Sequence, residues 1–218
     1  MKDIVLYSAI FGGYERAKPV PSDIGVRCVM FTDDPNLHAP GWDVIVGNPP
    51  CGDQWSPMMR HKWFKLHPHV VFPDARMSLW LDGSMTIIVN DYVQRCITAL
   101  GNDDWSMVPH PARNCIYDEA SFSATLTWKY DPVAIRAQAD FYASIGHPAQ
   151  WGLMATGANI RRHTPIVEKV NEQWWWENQM RSHQDQLSLP VIMRLNPELK
   201  YNYNLPWFEW WHLSEHGR

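Results

Sequence analysis

Apolar residues along this chain follow two rhythms. Short unbroken apolar runs end in glycine, proline or acidic residues, and between them lie longer stretches that repeat every three to four positions. The two periods together predict an α/β domain. The runs read as strands at Asp3 to Ala9, Gly25 to Phe31, Trp42 to Val46, Leu79 to Leu81, Trp105 to Val108 and Trp151 to Arg161, the last with Gly157 as a bend or close approach. No helix-length segment separates the second and third runs, which predicts a mixed sheet. Ser56-Pro57 is a helix start, serine as N-cap and proline at the first turn, and the helix is expected from Pro57 to about His69 with Met59, Trp63, Leu66 and Val70 as its core stripe. Further helices are expected over Asp91 to Leu100, Pro132 to Ile145, after Thr164-Pro165 (with Ile166, Val167, Val170 and Trp174 buried), and from Gln184 to about Met193. Trp174, Trp175 and Trp176 sweep roughly 200° of helix surface at ~100° per residue, so at least one must leave the core. The tail from Tyr201 to His212 is too aromatic to be disordered and must fold back on the domain.

Composition narrows the class. A chain of 218 residues fits one domain with a real core, taken here as residues 1–218. The net charge of −4 and a pI near 6.2 show no basic field, which argues against a dedicated nucleic-acid partner. No apolar run approaches the ~20 residues of a membrane span and no signal peptide precedes Met1-Lys2-Asp3. Cys28, Cys51, Cys96 and Cys115 lack metal-type spacing and read as reduced thiols, so a cytoplasmic setting is expected. The 13 tryptophans mean core packing first, and flat faces for sugar rings second.

The candidate chemistry centres on Leu79-Trp80-Leu81-Asp82-Gly83-Ser84. A carboxylate is costly inside a buried strand, so Asp82 belongs at the strand's carboxyl end, where open α/β sheets place ligands. Gly83 permits a positive φ and a close approach to the backbone. A plain β-turn with Asp82 capping its own backbone is an equal reading. The Gly12-Gly13 turn would let a base or ribose lie against the main chain, and Asp33-Asp34 again puts acids at a strand end. On the helix after Ser56, Lys62, Lys65 and His69 share one flank, with Arg60 and His67 on the other. Such a flank suits a diphosphate, and a solvated basic face is the plain alternative. The loop Pro109 to Ala120 gathers His110, Arg113, Tyr117, Asp118 and Glu119, polar density that often marks function.

With those segments in place, the chain resembles a glycosyltransferase-like family first known as a domain of unknown function, whose better-known members are plant cell-wall and mucilage proteins with bacterial relatives. The likeness is carried by Tyr7 to Tyr14, Phe31-Thr32-Asp33-Asp34-Pro35, Arg60 to His69, Trp80 to Ser84, His110 to Ala120 and Arg181 to Leu187, in that order. It implies a GT-A-like nucleotide-diphospho-sugar fold, a mixed and mostly parallel central sheet flanked by helices, with the donor at the strands' carboxyl ends. It also implies a donor site made by Ala9, Phe11, Gly12, Tyr14, Asp33, Asp34, Arg60, Lys65, Asp82, Gly83 and Ser84. An Asp-X-Asp turn in that fold holds Mn²⁺ or Mg²⁺ on the donor diphosphate. Here Asp82-Gly83-Ser84 replaces the second carboxylate with a hydroxyl, a poor ligand for such cations. His212, with His216 second, is the expected extra ligand beside Asp82 and Ser84.

The resemblance implies transfer of a sugar from a nucleotide-diphospho-sugar, UDP favoured, to a glycan or other hydroxyl acceptor. Asp185 would be the base of an inverting enzyme, whereas Gln186 would lie beside the reacting carbon of a retaining one, the outcome favoured here. His110, Arg113, Glu119, Trp175 and Trp176 would bind the acceptor. Two rivals remain: a metal-dependent hydrolase using Asp82, His110 and Glu119, and a non-catalytic carbohydrate-binding domain with tryptophan platforms.

Overall fold

The structure, a computed structural model, describes residues 3–50, 52–206 and 209–214. In chain order the elements are β1 (Ile4–Ile10), β2 (Arg27–Thr32), β3 (Asp43–Val46), α1 (Pro57–Leu66), α2 (Pro68–Val71), β4 (Met77–Leu81), β5 (Met85–Ile87), α3 (Tyr92–Leu100), β6 (Trp105–Pro109), α4 (Ile116–Ser123), α5 (Pro132–Ser144), β7 (Met154–Arg162), α6 (Pro165–Met180), α7 (Asp185–Leu195), β8 (Tyr201–Asn202) and β9 (Trp211–Leu213). Among the described residues, seven strands form one sheet in the order β3-β2-β1-β4-β7-β6-β8, and β5 pairs with β9 in a separate ribbon. Only β7 runs antiparallel to its sheet neighbours, β4 and β6; the remaining pairs are parallel. The chain thus forms the expected mixed, mostly parallel α/β sheet, but not for the expected reason: β2 and β3 pair in parallel across their short connection, and the reversed strand is β7.

The strands read as continuous apolar runs because helices cover both faces of the sheet. Along β1 the side chains alternate: Val5, Tyr7 and Ala9 join a core with α1, α6 and α7, while Ile4 and Leu6 join another with α3, β5 and β9. The period of two in a strand divides one sequence run between two cores. Trp80 and Trp105 fill the first core, and Trp211 fills the second against Tyr92. The aromatic tail therefore folds back as expected. In α6, Trp174 is buried, Trp175 nearly so, and Trp176 is 52% exposed, the partition that the helical sweep requires.

Several expectations change. The helix after Ser56 stops at Leu66, not His69, and a separate turn begins at Pro68. A residue preceding proline is pushed out of the α region, and His67 sits at φ −122°, ψ 46°. Val70 therefore leaves the core stripe and is exposed. The two-residue strand β8 is too short to carry a period, and its parallel pairing with β6 closes the sheet edge. Cys28, Cys96 and Cys115 are buried free thiols, and Cys51 lies outside the described residues. No helix among the described residues is long and apolar enough to cross a membrane.

Candidate active site

Asp82 is the first residue of its run to reach solvent. Ser78 to Leu81 are buried, and the Asp82 side chain is 33% exposed. Its backbone N–H donates to Gly157 O at 2.7 Å, and its own carbonyl accepts from Met85 N–H at 3.0 Å, which closes the turn into β5. Gly157 belongs to a bulge. β6 and β7 pair Met107 with Asn159 but Val108 with Ala155, so Thr156 to Ala158 face no residue of β6. Bulges re-aim side chains at sheet rims, and this one brings Gly157 beneath Asp82. A Cβ at Gly157 would lie 3.2 Å from both Asp82 Oδ2 and Met85 Sδ. Gly83 serves the close approach that was expected of it, with Ile10 Cγ1 only 2.9 Å from where its Cβ would be. Positive φ, the other expected reason, belongs instead to Gly12 and Gly13 at +67° and +63°.

Above Asp82 opens a cleft of about 500 Å³ between the carboxyl ends of β1 and β4, the bulge of β7, α1 and the start of α7. Ala9, Phe11, Gly12 and Tyr14 line one side, and Asp82, Gly83 and Ser84 line the floor. Lys65, Asp185 and Gln186 line the wall. Met58, His61, Lys62 and Lys65 enter it from α1, at the i, i+3, i+4, i+7 spacing that usually turns an apolar face to a core. Here that face carries charge.

Lys62 and Lys65 are buried, not solvated. Lys65 Nζ lies 2.9 Å from Asp185 Oδ2, 3.1 Å from Thr156 Oγ1 and 3.6 Å from Asp82 Oδ1. Lys62 Nζ lies 3.0 Å from the same Asp185 oxygen. Trp80 Nε1–H donates to Asp82 Oδ1 at 2.6 Å, fixing that carboxylate from beneath. Burial alone would raise the Asp185 carboxyl, but Lys62 and Lys65 outweigh it and hold it well below the ordinary carboxylate range. Burial brings Lys62 down to about 8 against the pull of Asp185, whereas Asp185 and Asp82 together overcome the burial of Lys65 and raise it. His61 is pushed down to about 4 by burial despite Asp82 nearby, so it is neutral at pH 7. A carboxylate clamped by two ammonium groups is a weak proton acceptor. Asp185 is therefore unsuited to the general-base role expected of it.

The donor set for a divalent cation is equally poor. Asp82 Oδ1 already accepts from Trp80 and faces a buried ammonium, and a cation brought there would meet the charge of Lys65. His212 pairs with Thr86 while Leu213 pairs with Met85. Leu213 and Met85 line the cleft, so alternation along the strand turns the exposed His212 to the other side. His216 lies outside the described residues. Among the described residues no group of three or more His, Cys, Asp or Glu side chains is arranged to hold a metal ion. Of the expected Mn²⁺ or Mg²⁺ ligands, Asp82 and Ser84 line the cleft floor together, whereas His212 does not join them there.

A family model for the TOD1/MUCI70 glycosyltransferase-like domain matches residues 41–210. The chain belongs to that family. It is 27% identical over 221 residues to the probable hexosyltransferase MUCI70 of Arabidopsis thaliana, a match that takes in 88% of this chain but 37% of that protein. The chain thus spans little more than a third of that relative's length. Solved structures overlap it more loosely. Mouse xyloside xylosyltransferase 1 gives a TM-score of 0.49 at 9% identity, over 92% of this chain and 84% of that one. The mannosyltransferase Ktr4p of S. cerevisiae, solved with GDP, gives 0.43 at 10% identity, over 98% and 71%.

Other residues expected to act in this TOD1/MUCI70-type domain stand behind the cleft instead of in it. Asp33 accepts from Gly12 N–H at 2.9 Å and pairs with Arg60 Nη1 at 3.3 Å, so both staple the glycine turn to α1. Asp34 accepts from Asn36 N–H within its own turn. Arg113 donates to Glu119, and His110 Nδ1 accepts from Ala112 and Arg113 N–H. Glu119 Oε1 in turn accepts from Gln184 Nε2 at 2.9 Å, and Gln184 also donates to Gln186 Oε1 at 3.3 Å. The polar loop thus positions the start of α7 from outside the cleft. Trp175 packs edge-on against Trp55 at 4.9 Å, Trp176 faces outward, and neither lines the cleft. Sequence reasoning left His61, Thr156, Gln184 and Tyr130 unassigned, and placed Lys62 only on a cationic flank suited to a diphosphate. For Lys62 and His61 the signal was present, as charged side chains at core-type spacing beside Trp63.

Proposed function

We propose that this chain is a glycosyltransferase that moves a sugar from a nucleotide-diphospho-sugar, UDP-linked in preference, to a hydroxyl of a glycan or other acceptor. Family membership supports sugar transfer. The observation that carries the donor class is the cleft at the carboxyl ends of β1 and β4, where a glycine turn, an acidic turn and two buried lysines meet. The nucleoside would lie along Ala9, Phe11 and Gly12, whose backbone a base can approach closely, with Tyr14 beside it. The diphosphate would lie toward α1 and the sugar over Asp82.

Breaking the anomeric bond builds positive charge on the sugar and negative charge on the departing diphosphate. The Asp82 carboxylate, locked by Trp80 and open to the cleft on its other side, would orient the sugar and counter the first. Gln186 is held by its own donation to Met154 O at 3.1 Å, which would preset its side chain beside the reacting carbon. With Asp185 clamped as a weak base, retention is the outcome we favour. The hydrolase reading needs Asp82, His110 and Glu119 on one water, but His110 and Glu119 do not line the cleft. The sugar-platform reading needs exposed tryptophans at the cleft, but Trp174 and Trp175 are in the core, and the exposed Trp128 and Trp176 do not line it. A thermal-shift screen of UDP, GDP and CMP tests the donor class. A bound nucleotide raises Tm by linkage; no shift with any of them refutes it.

A further inference from the structure

We propose that Lys62, in place of a divalent metal ion, is the cation that meets the donor's diphosphate, while Lys65 positions the two carboxylates. The proposal rests on the nucleotide-sugar reading above and deepens it. An ammonium has three N–H donors. Lys65 donates to Asp185 at 2.9 Å and to Thr156 at 3.1 Å, and faces Asp82 across a longer ion pair of 3.6 Å. Held by two hydrogen bonds and two carboxylates, Lys65 cannot turn to a ligand without loosening its hold on Asp185, Thr156 or Asp82. Lys62 makes one ion pair, to Asp185, among the described residues. Two donors of an ammonium only 7% exposed are left to the cleft that it lines.

A buried polar group lacking partners is costly, and Lys62 lines the space into which a diphosphate would fit. The acidic turn carries one carboxylate, Asp82, and a hydroxyl at Ser84, and positive charge beside it is already present on α1. In the reaction, the bond from the anomeric carbon to the β-phosphate oxygen breaks and its electron pair stays on that oxygen. The acceptor oxygen bonds the anomeric carbon and its proton passes to the departing diphosphate. Lys62 offsets the negative charge gained by the leaving group. It keeps its own proton throughout.

The test is calorimetric titration of UDP and GDP, with uridine and guanosine as controls, in excess EDTA and in excess Mn²⁺. Wild type, Lys62→Gln and Lys62→Arg are compared, with circular dichroism to check folding. We expect the same diphosphate affinity with and without metal, a loss of tenfold or more in Lys62→Gln with nucleoside binding unchanged, and partial recovery in Lys62→Arg. Binding that requires Mn²⁺ overturns the proposal and leaves the donor reading standing. So does a Lys62→Gln protein with wild-type preference for diphosphate over nucleoside. If neither nucleotide binds in either buffer, the donor reading fails and this proposal fails with it.

Discussion

Asp185→Asn removes the charge that two buried lysines share. The Asp185 and Lys62 side chains are 7% exposed and that of Lys65 is 2% exposed, so solvent screens little of the interaction. Lys65 keeps Thr156 and a longer contact to Asp82, but Lys62 keeps no other ion pair among the described residues. Removing one partner of a buried pair costs about 3–5 kcal/mol. The asparagine oxygen still accepts one hydrogen bond, so the lower end, about 3 kcal/mol, is expected at pH 7. Urea unfolding followed by tryptophan fluorescence measures it. The pH dependence gives a second reading. Asp185 titrates lower when folded than its ordinary 3.8, so the unfolded chain binds the proton first on acidification. Wild type therefore loses this contribution as pH falls below about 4, and the variant lacks that slope. Lys62 titrates near 8 when folded against 10.5 when free, and lower still without its carboxylate. The variant's deficit at pH 7 should therefore shrink by pH 9, where Lys62 can shed its proton. A loss under about 1 kcal/mol at pH 7, or one that does not change with pH, would refute the buried-clamp reasoning.

Asp82→Asn should abolish donor turnover while shifting Tm little, because Trp80 Nε1–H still finds an amide oxygen; a radiolabelled-donor assay checks it, and an active variant removes Asp82 from the chemistry. UDP affinity should weaken as pH rises through about 8 and Lys62 loses its charge, a dependence that Lys62→Arg should flatten. The charged or titratable groups facing Lys62 are Asp185, Lys65, His61, Lys129 and His183, and of these His61 and His183 titrate at lower pH. Trp174→Ala should cost about 3–5 kcal/mol as a core cavity, whereas Trp176→Ala should stay within about 0.5 kcal/mol. Paired denaturation curves separate them. Gly157→Ala should lower turnover more than stability, since its Cβ would press on Asp82 Oδ2 and on the movable end of Met85; equal losses in both would argue against a positioning role for the bulge.

Much of this architecture was legible in the residue order. Buried strands announce themselves as apolar runs, and Asp82 ends one of them where a carboxylate can first reach water. The tryptophan triplet divided between core and surface as helical geometry demands. What stayed hidden depends on partners far along the chain. Lys62 and Lys65 look like a solvated flank until Asp185 appears 120 residues from Lys65, because only an opposite charge makes burying them tolerable. The loop from His110 to Glu119 has the polarity of a binding site, yet its groups satisfy one another and Gln184. His212 failed as a ligand for a local reason: a short ribbon points alternate residues to opposite sides, and register cannot be read from three positions.

The most direct measurement is a crystal structure of the protein soaked with UDP in metal-free buffer. Nucleoside density is expected along Ala9 to Gly12, with diphosphate oxygens within hydrogen-bond reach of Lys62 Nζ, above Asp82. UDP bound elsewhere, or a diphosphate that appears only with added Mn²⁺ and turns away from α1, would contradict that placement.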